Sequence, residues 1–273
     1  MSAYARPTEL AEALALRAAG WRVLAGGTDL YPASGARLAG DVLDITALSG
    51  LAGLSQHQGL RIGAATSWTA IAEAELPPAL AALQQAARLV GGRQIQNAAT
   101  IGGNLCNASP AADGIPPLLV LEAQVELTSL RGTRHLALAN WLKGPRRVDL
   151  APDELLTGVL IPSRALQGVS RFVKLGARSH LVISIAMAAV RLVVDGGRIA
   201  EAALAVGACS ATAQRLPLAE AALRGTALPE AESRLQPDHL SNLTPVDDIR
   251  ASADYRRHAA LELLRRAVAE LSA

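Results

Sequence analysis

The chain has 273 residues, of which 51% are hydrophobic, and a formal net charge of +2. This length and composition predict one or two globular domains with a sizeable core and exclude a disordered chain. Because basic and acidic residues nearly balance, no basic stripe of the kind that binds nucleic acid is expected, and we predict no nucleic-acid partner.

The apolar runs are too short for a membrane span. None reaches the roughly 18 uninterrupted residues that a spanning helix needs, and the longest, at 181–194, is interrupted by Ser184 and Arg191. The N-terminal residues lack the basic segment and apolar core of a signal peptide. Cys106 and Cys209 are too few for an iron–sulfur cluster or a disulfide framework. We therefore expect a cytoplasmic protein without a membrane span.

Hydrophobic periodicity and turn residues predict the elements of the first half. They are a helix over 8–18, strands over 21–25, 42–45 and 60–62, a helix capped by Thr66 or Ser67 and reaching 75, a helix over 79–90, a helix opened by Pro116 and Pro117, a hairpin of 125–129 with 135–138, and a strand over 155–161.

A polar segment at 162–168 predicts a linker to a second part of the chain. There we expect strands over 171–174, 183–194 and 199–206, and helices over 217–223 and 253–271. On the last helix, an apolar stripe is predicted for Tyr255, Ala259, Leu263 and Val268.

The sequence contains two notable glycine pairs. Gly26-Gly27 follows the strand predicted over 21–25, and Gly102-Gly103 follows the segment 95–97. Glycine allows positive φ and close approach of the backbone to a ligand, so that N–H groups can face phosphate oxygens. Thr28 and Thr100 add a hydroxyl beside each pair. The alternative is that both pairs form tight strand-end turns.

Neither a G-x-G-x-x-G dinucleotide fingerprint that opens a helix nor a G-x-x-x-x-G-K-[ST] phosphate loop occurs in the chain. A dinucleotide would therefore be bound by another architecture.

Six segments carry a family resemblance: AGGTDL at 25–30, QIQNAATIGGNLCNASPAAD at 94–113, GPRR at 144–147, LAPDELL at 150–156, FVKLGAR at 172–178 and DIRASADYRR at 248–257. In this order they resemble the FAD-binding medium subunit of the molybdenum hydroxylases. This family includes the flavoprotein subunits of carbon monoxide dehydrogenase and the FAD domain of xanthine dehydrogenase. The resemblance extends over nearly the whole chain.

The resemblance implies an α+β protein with the two-subdomain FAD-binding fold of the p-cresol methylhydroxylase type, followed by a small α+β C-terminal domain. We expect the FAD-binding domain at 1–165, with subdomains of about 1–55 and 56–165, and the C-terminal flavoprotein domain at 166–273.

The resemblance also implies which residues hold FAD. The first glycine segment would contact the pyrophosphate and ribityl chain, the second would close the opposite side, and three residues farther along would contact a hydroxyl, a ring face and a polar edge. The predicted residues are Leu24, Ala25, Gly26, Gly27, Thr28, Asp29, Leu30, Thr100, Gly103, Asn104, Cys106, Asp113, Leu156 and Lys174.

Alternatives remain for three of these residues. Asp113 accepts a hydrogen bond from a sugar or ribityl hydroxyl, or it caps the helix after Gly114. Lys174 reaches the flavin, or it is a surface ammonium. Cys106 is interpreted as a small packed side chain rather than a redox thiol.

Other residue types limit the chemistry. Aromatic residues are 3% of the chain, so we expect no aromatic cage around a flavin. The five histidines, among them His57 and His180, have no metal-ligand spacing, and we predict no metal site and no catalytic side chain. No histidine or cysteine stands where related oxidases attach flavin, so FAD is expected to be non-covalent.

The resemblance implies electron transfer within a complex. A molybdenum-containing large subunit would hold the molybdenum cofactor, and an iron–sulfur small subunit would hold the [2Fe-2S] clusters. FAD in this chain would pass electrons to NAD, a quinone or oxygen, and the segment 102–110 would be a docking face. The alternatives are a self-contained flavin reductase or oxidase, and a flavin-free scaffold subunit.

Overall fold

A computed structural model describes residues 3–35, 38–56, 58–179 and 181–272. His57 and His180, and the first two residues of the chain, lie outside these ranges. Within them, no helix is both long enough and apolar enough to cross a membrane.

The N-terminal part is a three-stranded parallel sheet with one helix packed against it. The strand order is β1-β3-β2, and a small apolar core between the helix and the sheet includes Leu14, Leu43 and Leu51. Its elements are β1 (Tyr4–Ala5), α1 (Leu10–Ala18), β2 (Arg22–Leu24) and β3 (Val42–Asp44).

The middle of the chain forms an antiparallel five-stranded sheet of order β4-β5-β10-β6-β7, covered by short helices. A separate pair of strands, β8 and β9, lies beside it. The elements are β4 (Leu54–Gln56), β5 (Gly59–Gly63), α2 (Trp68–Glu73), α3 (Ala81–Leu89), α4 (Arg93–Ala98), α5 (Ile101–Asn107), α6 (Ile115–Val120), β6 (Gln124–Ser129), β7 (Gly132–Ala137), α7 (Leu138–Trp141), β8 (Leu142–Gly144), β9 (Arg147–Val148) and β10 (Leu155–Pro162).

The C-terminal part is an antiparallel four-stranded sheet with a long helix on one face. Strand order is β11-β12-β13-β14. Its elements are β11 (Val169–Leu175), β12 (Ala186–Asp195), β13 (Arg198–Gly207), β14 (Gln214–Arg215), α8 (Pro217–Leu223), α9 (Ala231–Arg234) and α10 (Ala253–Ser272).

Burial on both faces explains why β12 is apolar without alternation. Side chains of a strand point to opposite faces in turn. Val190 and Leu192 pack in the core beneath α10, whereas Met187 and Ala189 pack in the core of the middle part. The C-terminal sheet is therefore attached to the rest of the protein through a continuous apolar interface.

Most predicted elements are present, whereas one alternative interpretation and one prediction are wrong. The second glycine pair does not form a strand-end turn but lies in the first turn of α5, and the segment before it is the helix α4. Tyr255 is 51% exposed and does not belong to the buried face of α10, which instead includes Ala260 and Leu264. The predicted helical spacing of the apolar residues in α10 is correct, but the buried face of this helix begins after Tyr255.

Backbone contacts join the segment 64–68 to the segment that holds the second glycine pair. Gly102 N donates to Ala64 O at 2.8 Å, Ile101 N to Thr66 O at 3.0 Å, and Trp68 N to Ala99 O at 3.2 Å. A methyl group on Gly102 would stand 2.6 Å from Ala64 O, so only glycine fits this approach.

The first glycine pair makes a second close approach. A methyl group on Gly26 would collide with the carbonyl of Ala98, the last residue of α4. Because Gly26 has no Cβ, the turn after β2 lies directly against the backbone at 98–99. The two glycine pairs are thereby brought to the same place, as expected for segments that act together.

A buried arginine fastens the start of α10 to the ends of two strands. Arg256 is 2% exposed and donates to Ile185 O at 2.6 Å, to Ala208 O at 3.1 Å and to Asp248 Oδ1 at 2.6 Å. Hydrogen bonds from Arg250 and Arg256 hold the pKa of Asp248 well below its ordinary value. The segment DIRASADYRR at 248–257 is thus a structural anchor.

We expect Arg256→Ala to lower the free energy of unfolding by about 3–5 kcal/mol, because it leaves buried acceptors and a carboxylate without their partner. Urea unfolding at neutral pH measures this change. The matched control is Arg257→Ala, whose side chain is 44% exposed and pairs with an almost fully exposed Asp254, so that a change below about 1 kcal/mol is expected. Equal losses in the two variants would contradict the anchoring role.

We expect Gly26→Ala to lower the free energy of unfolding by about 2 kcal/mol, because its methyl group overlaps backbone that cannot move independently. Gly50→Ala is the control, since a methyl group there has no heavy atom within 4 Å, and a change within about 0.5 kcal/mol is expected. Thermal and urea unfolding of both variants measure the difference. A Gly26→Ala protein as stable as the parent would show that the close approach is not required.

Candidate functional site

A cavity of about 1060 Å³ opens where the first glycine turn, α5 and the segment 181–183 come together. Twelve of the fourteen predicted site residues line it: Ala25, Gly26, Gly27, Thr28, Asp29, Leu30, Thr100, Gly103, Asn104, Cys106, Asp113 and Leu156. Leu24 and Lys174 lie behind this lining. Within the described ranges, no group of three or more His, Cys, Asp or Glu side chains is arranged to hold a metal ion.

The first glycine turn presents polar backbone to the cavity. Gly27 has φ +71°, a conformation that favours glycine. Among the described residues, none accepts a hydrogen bond from the backbone N–H groups of residues 25–30. The turn is a strand-end turn, as the alternative reading of the sequence had it, and it also offers several donors on one wall of the cavity.

The second glycine pair contributes space rather than donors. Thr100 is the N-cap of α5, and its Oγ1 accepts from Gly103 N at 3.0 Å. The N–H groups of Ile101, Gly102 and Asn104 are also used within the protein. The expectation that backbone donors of this pair face a ligand is therefore wrong. A methyl group on Gly103 would contact only Thr100 Oγ1, so this glycine leaves room in the cavity.

Three side chains form a chain of hydrogen bonds along one rim of the cavity. Arg146 donates from a terminal guanidinium nitrogen to Asn107 Oδ1 at 2.5 Å, and Asn107 Nδ2 donates to Asp29 Oδ1 at 3.1 Å. Arg146 has φ +55°, and its backbone N donates to Ala108 O at 2.9 Å. The turn between β8 and β9 is thereby tied to the end of α5 and to the first glycine turn.

Asp113 is held by residues of the C-terminal part. Lys174 Nζ donates to Asp113 Oδ2 at 2.6 Å, and Ser184 Oγ donates to Asp113 Oδ1 at 2.7 Å. Burial raises the pKa of Asp113, and the nearby Lys174 ammonium opposes that rise. The helix α6 has Gly114 as its N-cap without a side-chain cap, so the helix-capping alternative for Asp113 is wrong.

Lys174 is not a surface ammonium, since its side chain is 8% exposed and forms this ion pair. It does not line the cavity itself. Its positive charge compensates a carboxylate that does.

The charges around the cavity leave an excess of positive charge. Three arginines line it (Arg17, Arg22 and Arg146), together with three carboxylates (Asp29, Asp113 and Glu154). Two of these carboxylates are compensated from outside the lining, Asp113 by Lys174 and Glu154 by Arg134. Three positive charges then face one uncompensated negative charge, an excess of two, which suits a doubly charged anion.

Glu154 illustrates how the compensation works. Arg134 Nε donates to Glu154 Oε1 at 2.7 Å, and Ala151 N donates to Oε2 at 2.8 Å. These hydrogen bonds, that from Arg134 above all, lower the pKa of Glu154 despite its burial. The Glu154 carboxylate is therefore ionised and hydrogen-bonded within the protein without any ligand.

Several lining residues were not predicted from the sequence. Trp68 is fully buried at the cavity wall, so one aromatic side chain does line the site, although no cage of aromatics forms. Cys106 was predicted as a site residue, but it is exposed toward the cavity, so its interpretation as a small packed side chain is wrong. Arg146 belongs to the GPRR segment, one of the six segments that carry the family resemblance. Nothing in the sequence marked Trp68, Arg17 or the segment 181–183 as part of a site.

Comparisons with known proteins agree over the full length. Residues 1–164 match the model of the FAD binding domain in molybdopterin dehydrogenase, and residues 171–271 match the CO dehydrogenase flavoprotein C-terminal domain. The chain is 31% identical over 279 residues to the xanthine dehydrogenase FAD-binding subunit of Escherichia coli O157:H7, covering 98% of this chain and 95% of that one.

Two further relatives extend the comparison. The nicotine 6-hydroxylase medium subunit of Paenarthrobacter nicotinovorans is 34% identical over 261 residues, with coverage of 92% and 90%. A structure of reconstituted CO dehydrogenase from Oligotropha carboxidovorans superposes with a TM-score of 0.86 at 30% identity and covers 100% of this chain and 98% of that one.

The predicted family and fold class are thus confirmed. With both domain models matched in order and relatives aligned end to end, the chain belongs to the FAD-binding flavoprotein subunits of the xanthine dehydrogenase and carbon monoxide dehydrogenase family, which are FAD-dependent oxidoreductases.

Proposed function

We propose that this chain is the electron-transfer subunit of a molybdenum hydroxylase complex and that it binds FAD non-covalently in the cavity described above. Electrons arrive from an iron–sulfur small subunit and leave to NAD, a quinone or oxygen. The names of the relatives, a xanthine dehydrogenase FAD-binding subunit and a nicotine 6-hydroxylase medium subunit, support this proposal.

The observation that carries the proposal is the match between the first glycine turn and a pyrophosphate. Residues 25–30 offer N–H donors without partners among the described residues, and the lining carries an excess of two positive charges. The pyrophosphate of FAD is a dianion and accepts hydrogen bonds from such donors. The residues present therefore fit the cofactor.

In this arrangement the chain's own residues bind and orient. The turn at 25–30 would hold the pyrophosphate, Gly103 would leave room for the cofactor's chain, and Leu156, 5% exposed, would pack against an apolar ring. When bound, FAD supplies the acceptance of electrons and their release to a second acceptor. Neither a side-chain acid nor a side-chain base is required for this transfer.

Asp113 would act as a fixed hydrogen-bond acceptor. Lys174 and Ser184 each hold one of its carboxylate oxygens in place, and each carboxylate oxygen has a second lone pair that can accept from a hydroxyl of the cofactor. Lys174 thus contributes from behind the lining rather than at the flavin edge.

The partner assignments are part of the same proposal. We assign the molybdenum cofactor to a large subunit and the [2Fe-2S] clusters to the small subunit. The segment 102–110 lines the cavity at several positions, and its use as a docking face stays a prediction. The division into an FAD-binding domain at 1–165 and a C-terminal domain at 166–273 and the cytoplasmic location stay predictions as well.

The test is a visible absorption spectrum of the purified chain, before and after addition of FAD, followed by acid precipitation. We expect flavin bands that move entirely to the supernatant, which marks non-covalent FAD. Protein that is colourless and takes up no added FAD would overturn the proposal and favour the scaffold subunit. Oxidation of a small molecule by the isolated chain would favour the self-contained enzyme.

Gly103→Ala sharpens this test. Alanine is favoured over glycine in a helix by about 1 kcal/mol, and this gain is opposed by a tight contact of 3.1 Å between the added methyl group and Thr100 Oγ1. We therefore expect a free energy of unfolding within about 1 kcal/mol of the parent value, together with FAD affinity about tenfold weaker, because a methyl group placed in a fitted site costs on the order of 1–3 kcal/mol. Equilibrium FAD titration and thermal unfolding measure the two effects.

The control for this variant is Gly50→Ala, where a methyl group has open space around it. Its FAD affinity should equal that of the parent chain. Gly103→Ala with full FAD affinity would contradict the placement of the cofactor beside α5.

A further inference from the structure

A single hydrogen bond joins the first glycine turn and the residues after it to the rest of the described chain. Residues 25–34 form turns and bends rather than a helix or a strand. Among the described residues, the hydrogen bonds of this segment otherwise stay within it. The exception is Asn107 Nδ2, which donates to Asp29 Oδ1 at 3.1 Å. The position of the turn therefore depends on this contact and on packing.

The side chain of Asn107 has a hydrogen-bonding neighbour at each end of its amide. The guanidinium of Arg146, which can only donate, donates to Asn107 Oδ1 at 2.5 Å. The carboxylate of Asp29, which can only accept, accepts from Asn107 Nδ2. An amide makes both contacts at once, because it accepts through its oxygen and donates through its nitrogen. The contact with Arg146 thus fixes which end of the amide faces Asp29.

The backbone that carries these side chains is held in an uncommon conformation. Arg146 has φ +55°, and Ala108, the residue after Asn107, has φ +44°, in the left-handed region that residues other than glycine rarely adopt. These two residues are joined by the hydrogen bond from Arg146 N to Ala108 O at 2.9 Å. Such conformations persist where the surrounding contacts determine them, and they are frequent at ligand sites. Asn107 and Arg146 therefore extend toward the turn from a backbone that is itself fixed.

We propose that Asn107 is a positioning residue for the cofactor: oriented by Arg146, its amide holds Asp29 and so fixes the turn at 25–30 before the cofactor binds. A turn that is ordered in advance does not have to be ordered by the ligand. This inference rests on the proposed binding of FAD. Asn107 lies in the segment 94–113, but neither the motifs nor the family resemblance gave this residue a role.

The first measurement is amide hydrogen exchange of the full chain without cofactor, followed by NMR. Tyr31 N donates to Gly27 O at 2.9 Å and Ala33 N donates to Asp29 O at 3.2 Å, both within the segment 25–34. Exchange of these two amides therefore reports opening of the turn. We expect Asn107→Leu, which removes both contacts of the amide, to accelerate their exchange by about three- to tenfold, as loss of one hydrogen bond does.

The second measurement is FAD affinity by equilibrium titration. We expect Asn107→Leu to weaken binding by about three- to tenfold, because the cofactor must then order the turn. Asn242→Leu is the matched control. Asn242 is exposed, donates from Nδ2 to Arg215 O at 2.9 Å and does not line the cavity. Its variant should have the exchange rates and the FAD affinity of the parent chain.

A reversed pair of side chains tests the hydrogen bond itself. In Asn107→Asp two carboxylates face each other, and because like charges repel we expect faster exchange than in Asn107→Leu. Addition of Asp29→Asn restores one amide and one carboxylate, keeps the net charge of the parent chain, and leaves Arg146 a carboxylate to which it can donate. We expect this double variant to recover the slow exchange of the Tyr31 and Ala33 amides.

The outcomes separate this inference from the proposed function. Unchanged exchange or unchanged FAD affinity in Asn107→Leu overturns the positioning role and leaves FAD binding by the parent chain established. A double variant that exchanges as fast as Asn107→Asp overturns the role as well. A parent chain that takes up no FAD overturns the proposed function and with it the cofactor role of Asn107, whereas the exchange rates still decide whether Asn107 holds the turn.

Discussion

The site depends on close contact between backbone segments that only glycine permits. Gly26 lies against the carbonyl of Ala98, and Gly102 lies against that of Ala64. Three stretches of chain, at 25–30, 64–68 and 98–103, therefore meet without intervening side chains. Their meeting places a polar turn from the N-terminal sheet opposite a helix from the middle part and leaves the cavity between them.

Charged residues that do not line the cavity determine part of its electrostatics. Two of its carboxylates are held by cations that do not touch the cavity, Lys174 from β11 and Arg134 from β7. The negative charge of these acids is compensated, while the arginines of the lining have no carboxylate partner among the described residues. The charged groups of the cavity are thus preorganised for an anion, because a ligand does not have to break existing ion pairs.

The C-terminal sheet takes part in the site although it contributes little of the lining. Lys174 and Ser184 fix both oxygens of Asp113, and Arg256 holds Ile185, the residue after Ser184. A path of hydrogen bonds thus runs from α10 to the cavity wall. The position of a buried carboxylate in the first matched domain thus depends on two side chains of the second.

The sequence by itself determined the family, the mixed fold and most of the lining. Motifs such as AGGTDL and TIGGN are local, and their residues line the cavity because close approach requires glycine at fixed positions in the chain. The spacing of apolar residues in strands and helices is also a local property of the sequence. The bounds of β12 and α10 could therefore be predicted to within a few residues.

Only the tertiary structure decided how these residues are used. The N–H of Gly102 is taken by Ala64 O, a contact between distant segments that no local pattern reveals. Lys174 pairs with Asp113 across 61 positions of sequence, and Trp68 reaches the cavity because its segment lies beside residue 99. Such roles depend on contacts between distant segments, whose energies are set by packing and burial rather than by any short pattern of residues.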